Sequence, residues 1–397
     1  MAAMTHLFFT LSGVLLLFVT LPLVLELFLV TTANLLPARQ RIITGAAQSL
    51  VTGLDLTLIV PAHNEELLVG RCVASLRASA GPGIKILVVA HNCSDATAAR
   101  AVAAGAEVLN YNDPTARGKG FALRYGFQHA LAAGANAVMV VDADSTASQN
   151  TVGAVSFAFA AGARVVQCRY EMFSTTERSS TRLAALAFRG FNVIRPRGRE
   201  RLGLSAGILG NGFAIVRSVL EAIPYDAFSV VEDLEYHLHL VTAGEQVHYL
   251  DEAVISADFP ESRTGENIQR SRWEGGRLRT ARIWAFPLIG KILRGRLQLV
   301  EPLCDLAGLP LAYGVFFLLL ALLIPLGWLR LYAGVSLVIV LGHVLTAAWA
   351  GPDFFKTLQL LTLTPLYVLR KLWMIPGVLR GSSSKAAWVR TERDNTL

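Results

Sequence analysis

Charge is scarce in this sequence, and cysteine is scarcer still. Only 16% of the 397 residues are charged, against 53% hydrophobic, and the mean hydropathy is +0.47. That balance excludes an extended disordered chain and an ordinary water-soluble globule; it points to a protein lying partly in lipid. The four cysteines (Cys72, Cys93, Cys168, Cys304) are far apart and form no CxxC pair. A disulfide framework and a paired-thiolate zinc site are thereby excluded, and a reducing compartment is expected. No GxGxxG follows the first β-type run, which argues against a dinucleotide oxidoreductase. Tandem repeats and low-complexity tracts are missing as well. The net charge is +7, but the basic residues are scattered and not interleaved with aromatics in one stripe. Nucleic acid is therefore not the expected partner; an anionic membrane surface or a phosphate-bearing ligand is.

Long apolar runs, by contrast, are plentiful. Residues 6–36 are apolar apart from a few interruptions such as Pro22 and Glu26, long enough to span a bilayer with some tilt. Residues 1–40 are read as an N-terminal transmembrane helix; a signal peptide would carry a basic n-region and a shorter core. Arg39 and Arg41 follow at once, so the positive-inside rule places the next domain in the cytoplasm. Glu26 is costly at membrane depth and is expected to be neutral and packed near an interface. Two further spans are expected in 301–350, at residues 303–329 and 331–350. Residues 283–300 mix Arg and Lys with Ile, Trp and Leu, as an interfacial amphipathic helix would. Residues 351–380, broken by Lys356, Pro365, Arg370, Lys371 and Pro376, are read as interfacial or re-entrant. The polar, basic tail 381–397 belongs inside. Three spans leave both domain and tail on the cytoplasmic side of the inner (plasma) membrane.

Residues 50–282 change character. Short β-type runs at 56–60, 84–89, 107–109 and 137–141 alternate with segments of helical spacing such as 67–78 and 120–132. This is the pattern of an α/β domain with a mostly parallel, Rossmann-like sheet. The run ending at Val141 stops abruptly in Asp142-Ala143-Asp144. Ligands of open α/β sheets bind at the carboxyl edge, and two acids so close repel unless a cation lies between them. A hard divalent ion sharing its oxygen shell with a phosphate is the functional reading; an Asx-rich turn is the plain one.

Other motifs fall on the same edge. Pro61-Ala62-His63-Asn64-Glu65 follows the first run, suited either to nucleotide contacts or to capping the next helix. His91 and Asn92 follow the second run and are expected to face the crevice. Lys119, between two glycines, can reach a phosphate. Gly210-Asn211-Gly212 is a tight turn. Glu232 and Asp233 open a helix, where the dipole stabilises them and where either can serve as a base. Gln269, Arg272 and Trp273 offer an amide, a guanidinium fork and a flat platform, or else a basic helix face on lipid headgroups. Arg195, Arg197, Arg199 and Arg201 are read as a basic loop facing the membrane or gating the site.

In this order the motifs PAHNE, GKG, DADS, GNG, VED and QRSRW resemble a membrane-bound family 2 glycosyltransferase of GT-A fold. The similarity is to the cellulose, hyaluronan and chitin synthase-like and the ceramide glucosyltransferase-like group, over residues 55–279. It implies a UDP-sugar donor held by Pro61 to Glu65, His91, Lys119, Asp142, Asp144 and Arg272. It implies Mg2+ or Mn2+ at Asp144 and Asp142, with Asp233, beside Glu232, as the base on the acceptor hydroxyl. Gly210, Asn211, Gly212, Gln269 and Trp273 would lie on the acceptor side, and a β-linkage to a lipid or glycan would result. Two positions depart from the pattern: His91 stands where the family often has Asp, and Val231 where it has Thr. A processive exopolysaccharide synthase and a non-catalytic nucleotide-binding membrane protein are the alternatives. Three spans are few for a polysaccharide channel, which favours a lipid-linked or short product; a partner subunit for export is left open.

Overall fold

The computed structural model describes residues 2–39, 55–81, 83–173, 178–259 and 263–382. Its centre is an eight-stranded sheet of order β3-β2-β1-β4-β7-β6-β8-β5. The strands are β1 (Leu56–Ala62), β2 (Lys85–His91), β3 (Glu107–Tyr111), β4 (Ala137–Val140), β5 (Thr146–Ala147), β6 (Val165–Phe173), β7 (Phe213–Val216) and β8 (Val247–Asp258). The first four in the order run parallel. β7 is antiparallel to both of its neighbours, and β6 and β8 pair parallel. The parallel half is made of the β-type runs of the sequence, and their apolar continuity follows from burial on both faces. In β1 the pleat sends Leu58 and Val60 to one core, which also takes Val73 and Leu76 of α2 (Val69–Ala80). Ile59 points the other way, to a core shared with Leu123 and Phe127 of α4 (Lys119–Ala132). Between these helices lies the short α3 (Thr97–Ala103); α5 (Thr151–Ala160) joins the first face.

Among the described residues two helices are long and apolar enough to cross a membrane: α1 (Ala2–Ala33), over Ala3–Ala33, and α13 (Gly327–Trp349). The segment expected as a single span at 303–329 is instead a bent pair. Helix α11 (Val300–Ala307) and α12 (Leu311–Leu323) meet at 82°. Gly308 and Pro310 stand at the break; proline lacks an amide hydrogen and disfavours helix in the residue before it. Nor do residues 283–300 form an element of their own. Helix α10 (Arg263–Leu293) runs unbroken through Pro287, from the QRSRW motif into that segment. Residues 354–381 form the short helices α14 (Phe354–Leu360), α15 (Thr364–Trp373) and α16 (Ile375–Gly381), with Phe355, Leu366, Leu369 and Trp373 exposed. Residues 40–54 and most of the tail lie outside the described residues.

The arginine-rich stretch before GNG is a helix and not a loop. Helix α6 (Ser179–Arg189) passes through a π-helical turn (Gly190–Ile194) into α7 (Arg195–Leu202). α7 lies against α1 so closely that a Cβ at Gly198 would fall 2.4 Å from the Val30 carbonyl oxygen. Glu26 of α1 is 6% exposed and accepts from Arg195 Nε at 2.9 Å. Arg199 also pairs with it. Asp305 of α11 stands 2.7 Å from Arg195 and 3.0 Å from Arg199. Arg277 of α10 is 2.9 Å from the same carboxylate. Glu26 is thus a member of a buried ion cluster, which corrects the expectation of a neutral, merely packed residue. Pairing is what makes such burial tolerable.

Candidate active site

Because β1, β2 and β4 are parallel, their carboxyl ends deliver three loops to one edge. The first two interlock. The His63 ring Nδ1 lies 2.8 Å from the His91 carbonyl oxygen, and the Ser94 amide donates to Asn64 Oδ1 at 2.8 Å. The Glu65 amide donates to Thr97 Oγ1, and Glu66's to Asp95. Asn64 and Asn92 have φ of 55° and 51°, a left-handed conformation that asparagine tolerates better than most side chains. Asn92 exchanges two 2.8 Å hydrogen bonds with the backbone of Asp113. His91 does not open into the crevice as expected. It is 5% exposed and stacks on Tyr111 at 4.8 Å, which stacks on Tyr125 at 4.6 Å. Burial pushes its pKa down, so the ring is neutral near pH 7. Pro61 and Ala62 belong to β1 itself.

The third loop brings the acids. Asp142 pairs with Lys119, the first residue of α4. The same ammonium donates to the Gly210 carbonyl at 2.5 Å. Gly210 in turn lies against Asp233, so that a Cβ there would fall 2.9 Å from Oδ2. After the short α8 (Arg217–Ala222), Glu232 and Asp233 form the first turn of helix α9 (Glu232–Ala243), and the Leu234 amide donates to Asp233 Oδ1. Arg272, from α10, feels Glu232, Asp142 and Asp233. The structure therefore brings six of the expected residues together: Lys119, Asp142, Asp144, Glu232, Asp233 and Arg272.

The charge balance of this recess is unfavourable. Four carboxylates face two cations, a formal excess of minus two. Desolvation raises the pKa of Asp233; desolvation together with repulsion from neighbouring carboxylates raises that of Asp142, and that of Glu232 to about 7. Burial opposes the charge of Lys119, but Asp142 and Glu232 outweigh it and raise its pKa. A divalent cation would offset the excess. Among the described residues no three His, Cys, Asp or Glu side chains converge as a complete metal site. A cation here would therefore share its shell with ligand oxygens. Asp142 and Asp144 would hold such a hard ion, and a diphosphate would supply further oxygens.

The remaining expected residues surround this recess. Trp273 is half-buried against the first core, 6.4 Å from Phe188. Gln269 is half-buried one turn earlier. The two glycines after the motif let neighbours close in: a Cβ at Gly276 would fall 2.8 Å from Val231 Cγ1. Val231 thus turns both methyls to α10, which suits a second methyl in place of threonine's hydroxyl. Asn211 is not turned to a ligand. It is 1% exposed, and its side chain holds the loop of Asp142 and Asp144. The sequence reading missed Gln167 and Ser145, both fully buried. A signal existed, since Gln167 interrupts an apolar run in β6 and a buried amide needs partners.

A sequence model described as glycosyltransferase like family 2 matches residues 54–276, more than half of the chain. No match is found among the curated proteins. Among solved structures, the mannosyltransferase PcManGT from Pyrobaculum calidifontis, in complex with GDP-Man and Mn2+, is similar at a TM-score of 0.56. It is 16% identical, and the match covers 96% of this chain and 99% of that one. Glucosyl-3-phosphoglycerate synthase from Mycobacterium tuberculosis, in complex with Mg2+ and UDP, reaches only 0.36 at 20% identity, over 56% of this chain and 76% of that one. The mannosyltransferase shares the fold along nearly the whole chain. The chain belongs to glycosyltransferase-like family 2 and is a glycosyltransferase of GT-A fold, with apolar helices able to span a membrane before and after its catalytic domain.

Proposed function

We propose that the enzyme transfers a sugar from a UDP-sugar to a lipid or short glycan acceptor at the cytoplasmic face of the inner membrane, with inversion to a β-linkage and with Mg2+ or Mn2+. The observation that carries this reading is the convergence of Lys119, Asp142, Asp144, Glu232, Asp233 and Arg272 on one recess at the carboxyl edge of the sheet. The interlocked loops of His63, Asn64, Glu65 and His91 form the nucleoside side. Lys119 and Arg272 bear on the diphosphate, where negative charge grows as the bond to the sugar breaks. Asp144 and Asp142 are the residues that would hold the cation, which would supply a Lewis acid for the diphosphate. Asp233 takes the proton of the acceptor hydroxyl as that oxygen bonds to the anomeric carbon. Burial raises its pKa, which makes it a stronger base than a solvated aspartate. Gly210 leaves room for the Asp233 carboxylate, Gly212 admits Ile255 beneath the turn, and Gln269 and Trp273 flank the recess on the acceptor side.

The test uses the full chain in detergent with membrane lipid extract as acceptor, and a panel of UDP-glucose, UDP-N-acetylglucosamine, UDP-glucuronate and GDP-mannose. Transfer from a UDP-sugar, abolished by EDTA and restored by Mn2+, is expected. Asp233→Asn should lower kcat by about 10^2–10^4. Wild-type turnover in that variant would remove Asp233 as the base. Activity in EDTA would remove the metal, and turnover of GDP-mannose alone would overturn the donor.

A further inference from the structure

Three fully buried polar side chains lie behind the acids, none of which reaches the recess. Gln167 is 0% exposed, Ser145 0% and Asn211 1%. Their hydrogen bonds form a chain whose direction is fixed from one end. The Asp142 amide can only donate, and it donates to Asn211 Oδ1 at 3.0 Å. The Asn211 NH2 is thereby turned to Ser145 and donates to its Oγ at 2.8 Å. Ser145 Oγ already accepts there, so its own hydrogen goes to Asp144 Oδ1, 2.9 Å away. Gln167 holds the chain in place. Its Nε2 donates to the carbonyls of Asn211 (2.7 Å) and Cys168 (2.8 Å), and its Oε1 accepts from the Leu209 amide at 2.9 Å.

We propose that Gln167, Asn211 and Ser145 are positioning residues: a one-way hydrogen-bond relay that fixes the rotamer of Asp144 and presents its carboxylate to the cation of the donor complex. This rests on the metal reading given above. The relay answers a specific problem. Asp142 and Asp144 repel each other and, left to a two-residue turn, would splay apart. Asn211 grips the backbone of one acid and, through Ser145, the side chain of the other, so their spacing is set from behind before any ligand arrives. Outer partners of this kind typically govern metal affinity by 10–100-fold.

Asn211→Asp provides a near-isosteric test. The new carboxylate still accepts from the Asp142 amide, but its second oxygen now takes the Ser145 hydrogen, and Ser145 turns a lone pair toward Asp144. Equilibrium binding of Mn2+ is measured by the electron paramagnetic resonance of the free ion, with saturating UDP and the full chain in detergent. Ser145→Ala and Asn211→Asp should each weaken Mn2+ about tenfold or more, while UDP binding without metal, followed by calorimetry, stays at the wild-type level. The double variant should be no worse than Asn211→Asp, because the relay is already broken. Additive losses would mean two separate structural effects and would overturn the relay, as would wild-type Mn2+ affinity in both single variants. Should either variant misfold, Gln167→Leu, which loosens the loop from outside, carries the same Mn2+ prediction. Wild-type enzyme that binds no Mn2+ with UDP would instead refute the metal reading itself, which separates the two failures.

Discussion

Glu232→Gln should make the ligand-free protein more stable at pH 8 and leave it unchanged at pH 5. Glu232 is half-buried beside Asp233, and burial followed by that repulsion raises its pKa from 4.5 to about 7. The folded protein therefore holds this proton more tightly than the unfolded chain does. Stability associated with it is complete below about pH 4.5, declines as pH rises toward 7, and stays low above. Full conversion of the difference gives about 3 kcal/mol; partial exposure reduces this to about 1–2 kcal/mol. Glutamine keeps the shape and removes the charge, so the variant lacks this part of the decline. Thermal unfolding in detergent with EDTA present, at pH 5 and pH 8, reads the difference. For a domain of this size the gain at pH 8 corresponds to roughly 2–8 °C in Tm. Asp142 and Asp233 also titrate, so the quantity compared is the variant minus wild type at each pH. A variant no more stable than wild type at pH 8 would refute a repulsive recess. Added Mn2+ with UDP should shrink the gain, because the cation relieves the same repulsion in the wild type.

Gly276→Ala should lower kcat while costing about 1–3 kcal/mol of stability, since the new Cβ falls 2.8 Å from Val231 Cγ1 and pushes on the turn that carries Glu232 and Asp233. Gly290→Ala, in the same helix with nothing within 4 Å, should be neutral or stabilising; equal effects at both sites would sink the argument. Glu26→Ala leaves Arg195 and Arg199 with a smaller share of acid and should destabilise by about 3 kcal/mol, with Glu26→Gln milder; unfolding midpoints in detergent that match wild type would show that the cluster holds nothing together.

The parallel half of the sheet was legible because buried strands must be apolar: β1 and β4 announce themselves, and so does the point where β4 ends in two acids. The six charged residues of the recess were legible for a related reason. Five of them stand just past a strand or at the start of a helix, and Arg272 was picked out by its neighbours Gln269 and Trp273 in the QRSRW motif. What the sequence hid was set by distant partners. Gly198 has poor helix propensity and four arginines crowded into eight residues repel one another, yet α7 forms because Glu26 and Asp305 gather its guanidinium groups and Gly198 admits the backbone of α1. The polarity of Asn211 depends on an amide 69 residues away in the chain. His91 looked like a ligand because a polar residue at a strand tip usually is one; only its stacking on Tyr111 shows it as a wall.

Helix α10 joins these two kinds of contact. Arg272 faces the acids of the recess, and Arg277, five residues on and about 7.5 Å along the axis, is bonded to Asp305 in the cluster that holds Glu26. The same helix carries Gly276 against Val231. The height of Arg272 over Asp142 and Asp233 is therefore fixed by an apolar helix on one side and by the Glu232 turn on the other. Residues 55–259 contain the whole sheet and both acids of the Asp-Ala-Asp motif, but lack Arg272 and the Glu26, Arg277 and Asp305 members of the ion cluster. Such a fragment would lack the guanidinium proposed to meet the departing diphosphate. The apolar helices are in this sense part of the catalytic framework as well as its anchor.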